Sequence, residues 1–308
     1  MTAGVAWLFP GQGSQVVGMG QALAEHSQVA RLAFEEANDA LGFDLAGLCW
    51  SGPQDELDRT VNAQPALLTT SVAALRAARE AGLDGRPVVA AGHSLGEFSA
   101  LVALGVLGLP DAVRLVRRRG ELMQAAADPS GGMAAVIGLD AAAVAAAIQD
   151  SELVVANDNA PGQVVISGSL AEIAAVTERL KAAGAKRVLP LRVSAAFHSP
   201  AMRAVAPDLA AAMAEIRFVH PAAPVIANVD ATPHSDEREI PGLLERQVWS
   251  PVRWVDVIKR AAGEGAGTFV EFGAGAVLTG LTKRILPAPR TANVSDPATL
   301  EEALSVLR

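Results

Sequence analysis

The chain has 308 residues, 51% of them hydrophobic and 19% charged, enough to bury one large core and a smaller satellite. Its net charge of −8 excludes a general nucleic-acid binder, and its single cysteine, Cys49, excludes an internal disulfide framework and suits a reducing compartment. The longest apolar run, around residues 100–109, is too short for a membrane span and is interrupted by Gly105 and Gly108. Residues 1–10 carry no basic segment or cleavage-like pattern, so no secretory leader is expected and the location is read as cytoplasmic.

Residues 5–9 read as a buried strand ending in Pro10-Gly11-Gln12-Gly13-Ser14-Gln15, with a helix over about 19–41. After a charged segment at 54–60, Gln64-Pro65 opens an apolar helix to about Ala78. Residues 88–91 form the second clear strand, followed by helices at 97–104 and 110–127. Pro110-Asp111 starts the latter, since proline tolerates the first turn and a carboxylate suits the helix dipole.

Pro129-Ser130-Gly131-Gly132 reads as a linker. The next elements are strand 133–138, helix 140–149, strand 153–157, a turn at 158–162, strand 163–167, helix 170–183 and strand 186–193. This β-α-β-β-α-β order predicts a small ferredoxin-like subdomain over 129–194, inserted into a large subdomain of 1–128 and 195–308. Beyond it come helix 200–215, strand 225–229, helices 241–248 and 251–263, strand 268–272, helix 276–286 and a closing helix at 297–308. The predicted class is α/β, a hydrolase-like, mainly parallel sheet covered by helices.

The chemistry centres on Gly92-His93-Ser94-Leu95-Gly96, a Gly-x-Ser-x-Gly turn between an apolar strand and a helix. That context exposes a serine hydroxyl on a tight elbow, and the serine then needs a base. Of five histidines, His26 and His234 lie in polar stretches expected to be exposed, and His220 lies in a connector. His93 adjoins the serine, but neighbouring side chains on a tight turn diverge. His198, at the exit of the small subdomain and just before Pro200, is the leading base. An acid to orient it is not evident: Glu97, Asp111 and Asp158 are available, and a backbone carbonyl is an alternative.

Arg119 falls on the apolar stripe of its helix with Leu115, Leu122 and Met123, whereas Arg114, Arg118, Glu121 and Ala125 share the solvent side. A desolvated guanidinium calls for a carboxylate, either one of the protein or one of a ligand. The Gly11–Gln15 loop lacks the glycine spacing of a dinucleotide fingerprint. It better serves as a backbone donor to an oxyanion, paired with the N–H of Leu95. No spacing suggests a catalytic metal.

Phe9-Pro-Gly-Gln-Gly-Ser-Gln15, Gly92-His-Ser-Leu-Gly-Glu-Phe-Ser-Ala100 and Ala196-Phe-His-Ser199 together resemble the malonyl-CoA:acyl-carrier-protein transacylases, relatives of polyketide-synthase acyltransferase domains. Gln64-Pro65-Ala-Leu-Leu, Asn159-Ala-Pro-Gly-Gln-Val-Val-Ile166 and Gly280-Leu-Thr-Lys-Arg284 extend the resemblance over nearly the whole chain. The resemblance implies Ser94 as nucleophile, His198 as base and Arg119 as partner of the malonyl carboxylate. It also implies oxyanion donors at the amides of Gln12 and Leu95, and the Gln247 carbonyl as the group that orients His198. Gln64, Met123 and Phe197 would line the acyl pocket, with Phe197 disfavouring branched acyl groups. Ala195 departs from the His often found there in polyketide synthases, so selectivity rests on analogy. The implied reaction is ping-pong malonyl transfer from malonyl-CoA to the phosphopantetheine thiol of acyl carrier protein for fatty-acid synthesis, with no permanently bound cofactor. A monomer is expected. The carrier is acidic, so Lys181, Lys186, Arg187, Lys283 and Arg284 are read as its docking face. The rival readings are a serine hydrolase and a non-enzymatic subunit that keeps the fold.

Overall fold

A computed structural model describes residues 4–193 and 195–307. Met1–Ala3, Ser194 and Arg308, which fall at the edges of the expected subdomains, lie outside the described residues.

Two sheets organise the chain. The larger has the strand order Arg290–Val294, Ala266–Phe272, Gly4–Phe9, Val89–Gly92, Val225–Ile226 and Pro233–His234, parallel throughout except for the final hairpin pair. Residues 6–9 and Val89–Gly92 are buried between helices on both sides, which is why they read as short apolar runs rather than alternating ones. One face packs on the helices Gln28–Leu41, Thr60–Glu80 and Leu109–Ala125, the other on Trp254–Gly263 and Val277–Ile285.

The smaller sheet is antiparallel, in the order Val154–Ala160, Gln163–Ser169, Gly131–Ile137, Arg187–Pro190. Helices Ala141–Ile148 and Leu170–Ala182 bury Val144, Ile148, Ile173, Val176 and Leu180 with this sheet in a separate core. The arrangement is the mainly parallel α/β sheet with a ferredoxin-like unit that the element order predicts.

Several boundaries differ from expectation, each for a local reason. The helix expected over 19–41 is two, Gln21–His26 and Gln28–Leu41. Ser27 is extended between them, and its hydroxyl accepts the Ala30 N–H at 3.2 Å to cap the second. Pro65 does not open its helix, which begins at Thr60. Proline supplies no N–H for the Val61 carbonyl one turn back, and Arg117 Nη1 donates to that oxygen instead at 3.3 Å. Gly131 and Gly132 are not linker but the first residues of a strand, paired with Ser169 and Gly168. The 158–162 turn contracts to Pro161-Gly162, because the preceding strand runs on to Ala160 through register shifts. Residues 200–215 divide into a 3-10 helix, Pro200–Val205, and an α-helix, Ala206–Ala214. The strand expected over 225–229 stops at Ile226 and turns back as the Pro233–His234 hairpin. The strand Arg290–Val294 and the helix Leu45–Ser51 are additions.

Candidate active site

Val89–Gly92 delivers the chain into the elbow His93-Ser94-Leu95, and helix Gly96–Ala103 carries it away. A Cβ on Gly92 would lie 1.8 Å from the Gly96 carbonyl carbon, and one on Gly96 would lie 2.0 Å from the Phe9 carbonyl oxygen. The two motif glycines are therefore demanded by backbone-to-backbone contact. Ser94 itself has φ 51°, a left-handed conformation that costs a non-glycine residue on the order of 1–3 kcal/mol.

Asn228 braces that strain. Its Nδ2 donates to the Gly92 carbonyl at 2.8 Å and its Oδ1 accepts the Ser94 N–H at 2.7 Å. Its own N–H donates to Glu97 Oε2 at 3.0 Å. Nothing in the motif pointed to Asn228, and its only sequence signal is a polar residue at the end of an apolar strand.

His198 also has a positive φ, 55°, and puts Nε2 2.8 Å from Ser94 Oγ. On the other side of the ring, Nδ1 lies 3.0 Å from the Gln247 carbonyl and 3.1 Å from the Ser250 carbonyl. Carbonyls only accept, so this network assigns the proton to Nδ1 and leaves Nε2 to accept the serine O–H. Burial, reinforced by the Arg119 guanidinium and then by His93, pushes the His198 pKa down to about 3 and keeps the ring neutral. Among the described residues no carboxylate bonds to it. Asp111 pairs with Arg114, Glu97 faces Asn228 and Gln247, and the Asp158 N–H donates to the Val252 carbonyl.

Arg119 is completely buried, and its partners are neutral. Nη1 donates to Gln64 Oε1 at 2.8 Å, while Nη2 donates to Gln247 Oε1 at 2.9 Å and to Ser94 Oγ at 3.3 Å. Nε has no partner. Burial lowers its pKa to about 10, which still leaves it cationic at neutral pH. The protein carboxylate that a buried guanidinium called for makes no direct contact with it among the described residues.

Gln64 Nε2 donates to Thr60 Oγ1 at 3.0 Å and approaches Met123 Sδ at 3.7 Å, and Thr60 Oγ1 donates to Gln12 Oε1 at 3.1 Å. The His93 N–H donates to the Phe9 carbonyl at 3.0 Å, which lays the Gly11–Gln15 loop against the elbow. The backbone N–H groups of Gln12 and Leu95 have no acceptor among the described residues.

A cavity of about 120 Å3 opens over Ser94 and His198, lined also by Gln12, Met123 and Phe197. It adjoins a cleft of about 630 Å3, with which it shares Gln12, Leu191, Val193 and Phe197. His93 does diverge from Ser94, as expected, but it lines the cavity and its Nε2 lies 2.8 Å from Asn159 Oδ1, tying the elbow to the small sheet. His234, expected to be exposed, is largely buried between Asp230 and Glu239. Of the basic residues, Lys186, Arg187 and Lys283 are exposed and form no ion pair among the described residues. Lys181 pairs with Glu178, and Arg284 donates to the Pro161 carbonyl and to Gln163. Among the described residues no group of His, Cys, Asp and Glu could hold a metal ion, and no helix is long and apolar enough to cross a membrane.

The acyl transferase domain family matches residues 6–298. The chain belongs to this family. Within it, the chain is 45% identical to a malonyl CoA-acyl carrier protein transacylase of Salmonella typhimurium, over 97% of this chain and 98% of the relative. An acyl carrier protein S-malonyltransferase of Vibrio cholerae superposes with a TM-score of 0.94 at 44% identity, covering 98% of this chain and all of that one. A solved type II PKS acyl-carrier protein in complex with its malonyl-transacylase matches with a TM-score of 0.93 at 43% identity, covering 98% of this chain and 99% of that one. Both superpositions cover 98% of this chain, so they take in both sheets described above.

Proposed function

We propose that this protein transfers a malonyl group from malonyl-CoA to the phosphopantetheine thiol of acyl carrier protein, for fatty-acid synthesis, through an ester on Ser94. The observation that carries this reading is the fully buried Arg119, 3.3 Å from Ser94 Oγ and held among the described residues by neutral oxygens alone. A cation built in beside a nucleophile without a directly bonded anion is a receptor for a carboxylate at the far end of the acyl group.

His198 Nε2 takes the proton as Ser94 Oγ attacks the thioester carbonyl. The oxyanion that forms is received by the N–H groups of Gln12 and Leu95. The C–S bond then breaks, and the imidazolium returns its proton to the departing CoA sulfur. The carbonyls of Gln247 and Ser250 stabilise the ring while it is charged, in the place of an acid. In the second half the carrier's thiol gives its proton to His198 and attacks the ester, restoring Ser94. Arg119 holds the malonyl carboxylate throughout, and a fixed acyl group leaves attacking water poorly placed. Phe197 and Met123 bound the acyl space. Lys186, Arg187 and Lys283 are the free cations proposed to meet the acidic carrier.

Intact-protein mass spectrometry after brief mixing with malonyl-CoA, acetyl-CoA and methylmalonyl-CoA tests the reading. A malonyl adduct is expected on Ser94, absent in Ser94→Ala and discharged onto added carrier protein. Free malonate and CoA without an adduct, or transfer that ignores the acyl group's carboxylate, would overturn it.

A further inference from the structure

Glu97 is a buried titratable group beside the site that the malonyl-transfer steps do not use. Glu97 sits in the first turn of helix Gly96–Ala103 and is 3% exposed. Its Oε2 accepts from the Asn228 N–H at 3.0 Å and from Gln247 Nε2 at 2.9 Å, whereas its Oε1 has no hydrogen-bond partner among the described residues. The Gln247 amide then turns its Oε1 to Arg119 Nη2 at 2.9 Å. One amide thus lies between the carboxylate and the cation, oxygen toward the cation and NH2 toward the carboxylate. The flipped amide would aim donors at donors and lone pairs at lone pairs.

We propose that Glu97 is the counter-ion of Arg119 in the unloaded enzyme and surrenders that role by taking up a proton when a substrate carboxylate arrives. The inference rests on the reading of Arg119 as the malonyl group's partner.

A malonyl carboxylate on Arg119 places two carboxylates around one buried cation, and a low-dielectric site disfavours ionising both. The substrate carboxylate bonds the guanidinium directly, whereas Glu97 reaches it only through Gln247. Glu97 is therefore the group that neutralises, and its unbonded Oε1 can hold the proton while Oε2 keeps both of its donors. Two charged side chains act on Glu97 from the elements packed around it. Arg119, on helix Leu109–Ala125, favours the ionised form, and Asp230, on the turn after Val225–Ile226, disfavours it. Helix Ile240–Gln247 contributes the neutral Gln247 amide, and His198, held by the same residue, is also neutral. Burial raises the Glu97 pKa to about 7, so the exchange occurs near neutrality.

In each enzyme molecule whose Glu97 is ionised before loading, malonylation of Ser94 adds one solvent proton to Glu97; molecules already protonated there take up none. The CoA thiol leaves protonated, because thiols ionise only around pH 8.5. An acetyl group brings no carboxylate, so its adduct forms without that proton.

The test is proton uptake by the intact enzyme mixed with stoichiometric malonyl-CoA or acetyl-CoA. A pH indicator in weak buffer reads the protons, and mass spectrometry counts the adduct in the same samples. Uptake per malonyl adduct should be small at pH 6 and rise toward one proton as the pH passes about 7. Acetyl adducts should take up none. Glu97→Gln, which keeps an oxygen for both donors, should form the adduct with no uptake. Malonyl adduct formed by the wild-type enzyme without proton uptake, or with the same uptake as acetyl, would overturn the proposal whether or not the variant folds. Absence of any malonyl adduct would instead overturn the malonyl reading itself.

Discussion

The Ser94 N–H donates to Asn228 Oδ1 at 2.7 Å, although 134 residues separate the two in the chain. With the Asn228 Nδ2 bond to the Gly92 carbonyl at 2.8 Å, one side chain ties the strand before the elbow to the strained residue at its tip. Such strain persists only where surrounding structure over-determines it. Asn228→Ala leaves a donor and an acceptor unpaired and should cost about 2–4 kcal/mol of stability. It should also slow Ser94 acylation about 10- to 100-fold, since displacing a nucleophile by about 1 Å costs on that order. Thermal unfolding and labelling with a fluorophosphonate measure the two effects. An unchanged labelling rate would mean that the elbow holds itself.

Arg119 is expected to decide the acyl group. Arg119→Met should lower kcat/KM for malonyl-CoA by about 100- to 1000-fold, the loss of a charge-assisted pair in a dry site. The value for acetyl-CoA should change far less, so that the preference narrows or inverts. Arg119→Lys should fall between, because a point charge cannot reproduce the planar fork. Parallel steady-state kinetics with the two thioesters reads this directly.

His198 predicts an unusual acid limb. With a folded pKa near 3, the ring remains a base well below pH 6.5, and Ser94 reactivity toward a neutral ester should not titrate near 6.5. The linkage sign follows from the same shift. The unfolded chain binds a proton at this histidine below about 6.5 while the folded one does not, so this contribution to stability is lost as pH falls from about 6.5 toward 3. Glu97 acts oppositely: its raised pKa makes stability fall as pH rises from about 4.5 through about 7. An ester-acylation profile with an inflection at 6.5, taken where circular dichroism shows a folded chain, would contradict the assignment of His198.

Lys186 and Arg187 flank the start of the strand Arg187–Pro190 and carry no paired acid among the described residues. Reversing both to Glu should raise the KM for carrier protein about tenfold or more and leave loading from malonyl-CoA unchanged. The carrier effect should weaken as salt is added. Equal effects on both half-reactions would place the docking face elsewhere.

The sequence determined the elements that local chemistry controls. Gly92 and Gly96 were legible because no other residue fits two backbone contacts under 2.1 Å. The burial of Arg119 was legible because helical spacing assigns it to the apolar stripe, and the ferredoxin-like order was legible because each strand and helix carries its own period. The ends of elements were less legible, since the Ser27 hydroxyl also donates to Glu80 Oε2 and the Val61 carbonyl left free by Pro65 is taken by Arg117, partners outside their own turn. The tertiary structure alone decided which groups serve those residues. Asn228, Ser250 and the Glu97–Gln247–Arg119 chain join segments up to 150 residues apart. A hydrogen bond between such segments leaves no periodicity in the sequence, because its partners are chosen by where the sheet and its helices bring the chain together.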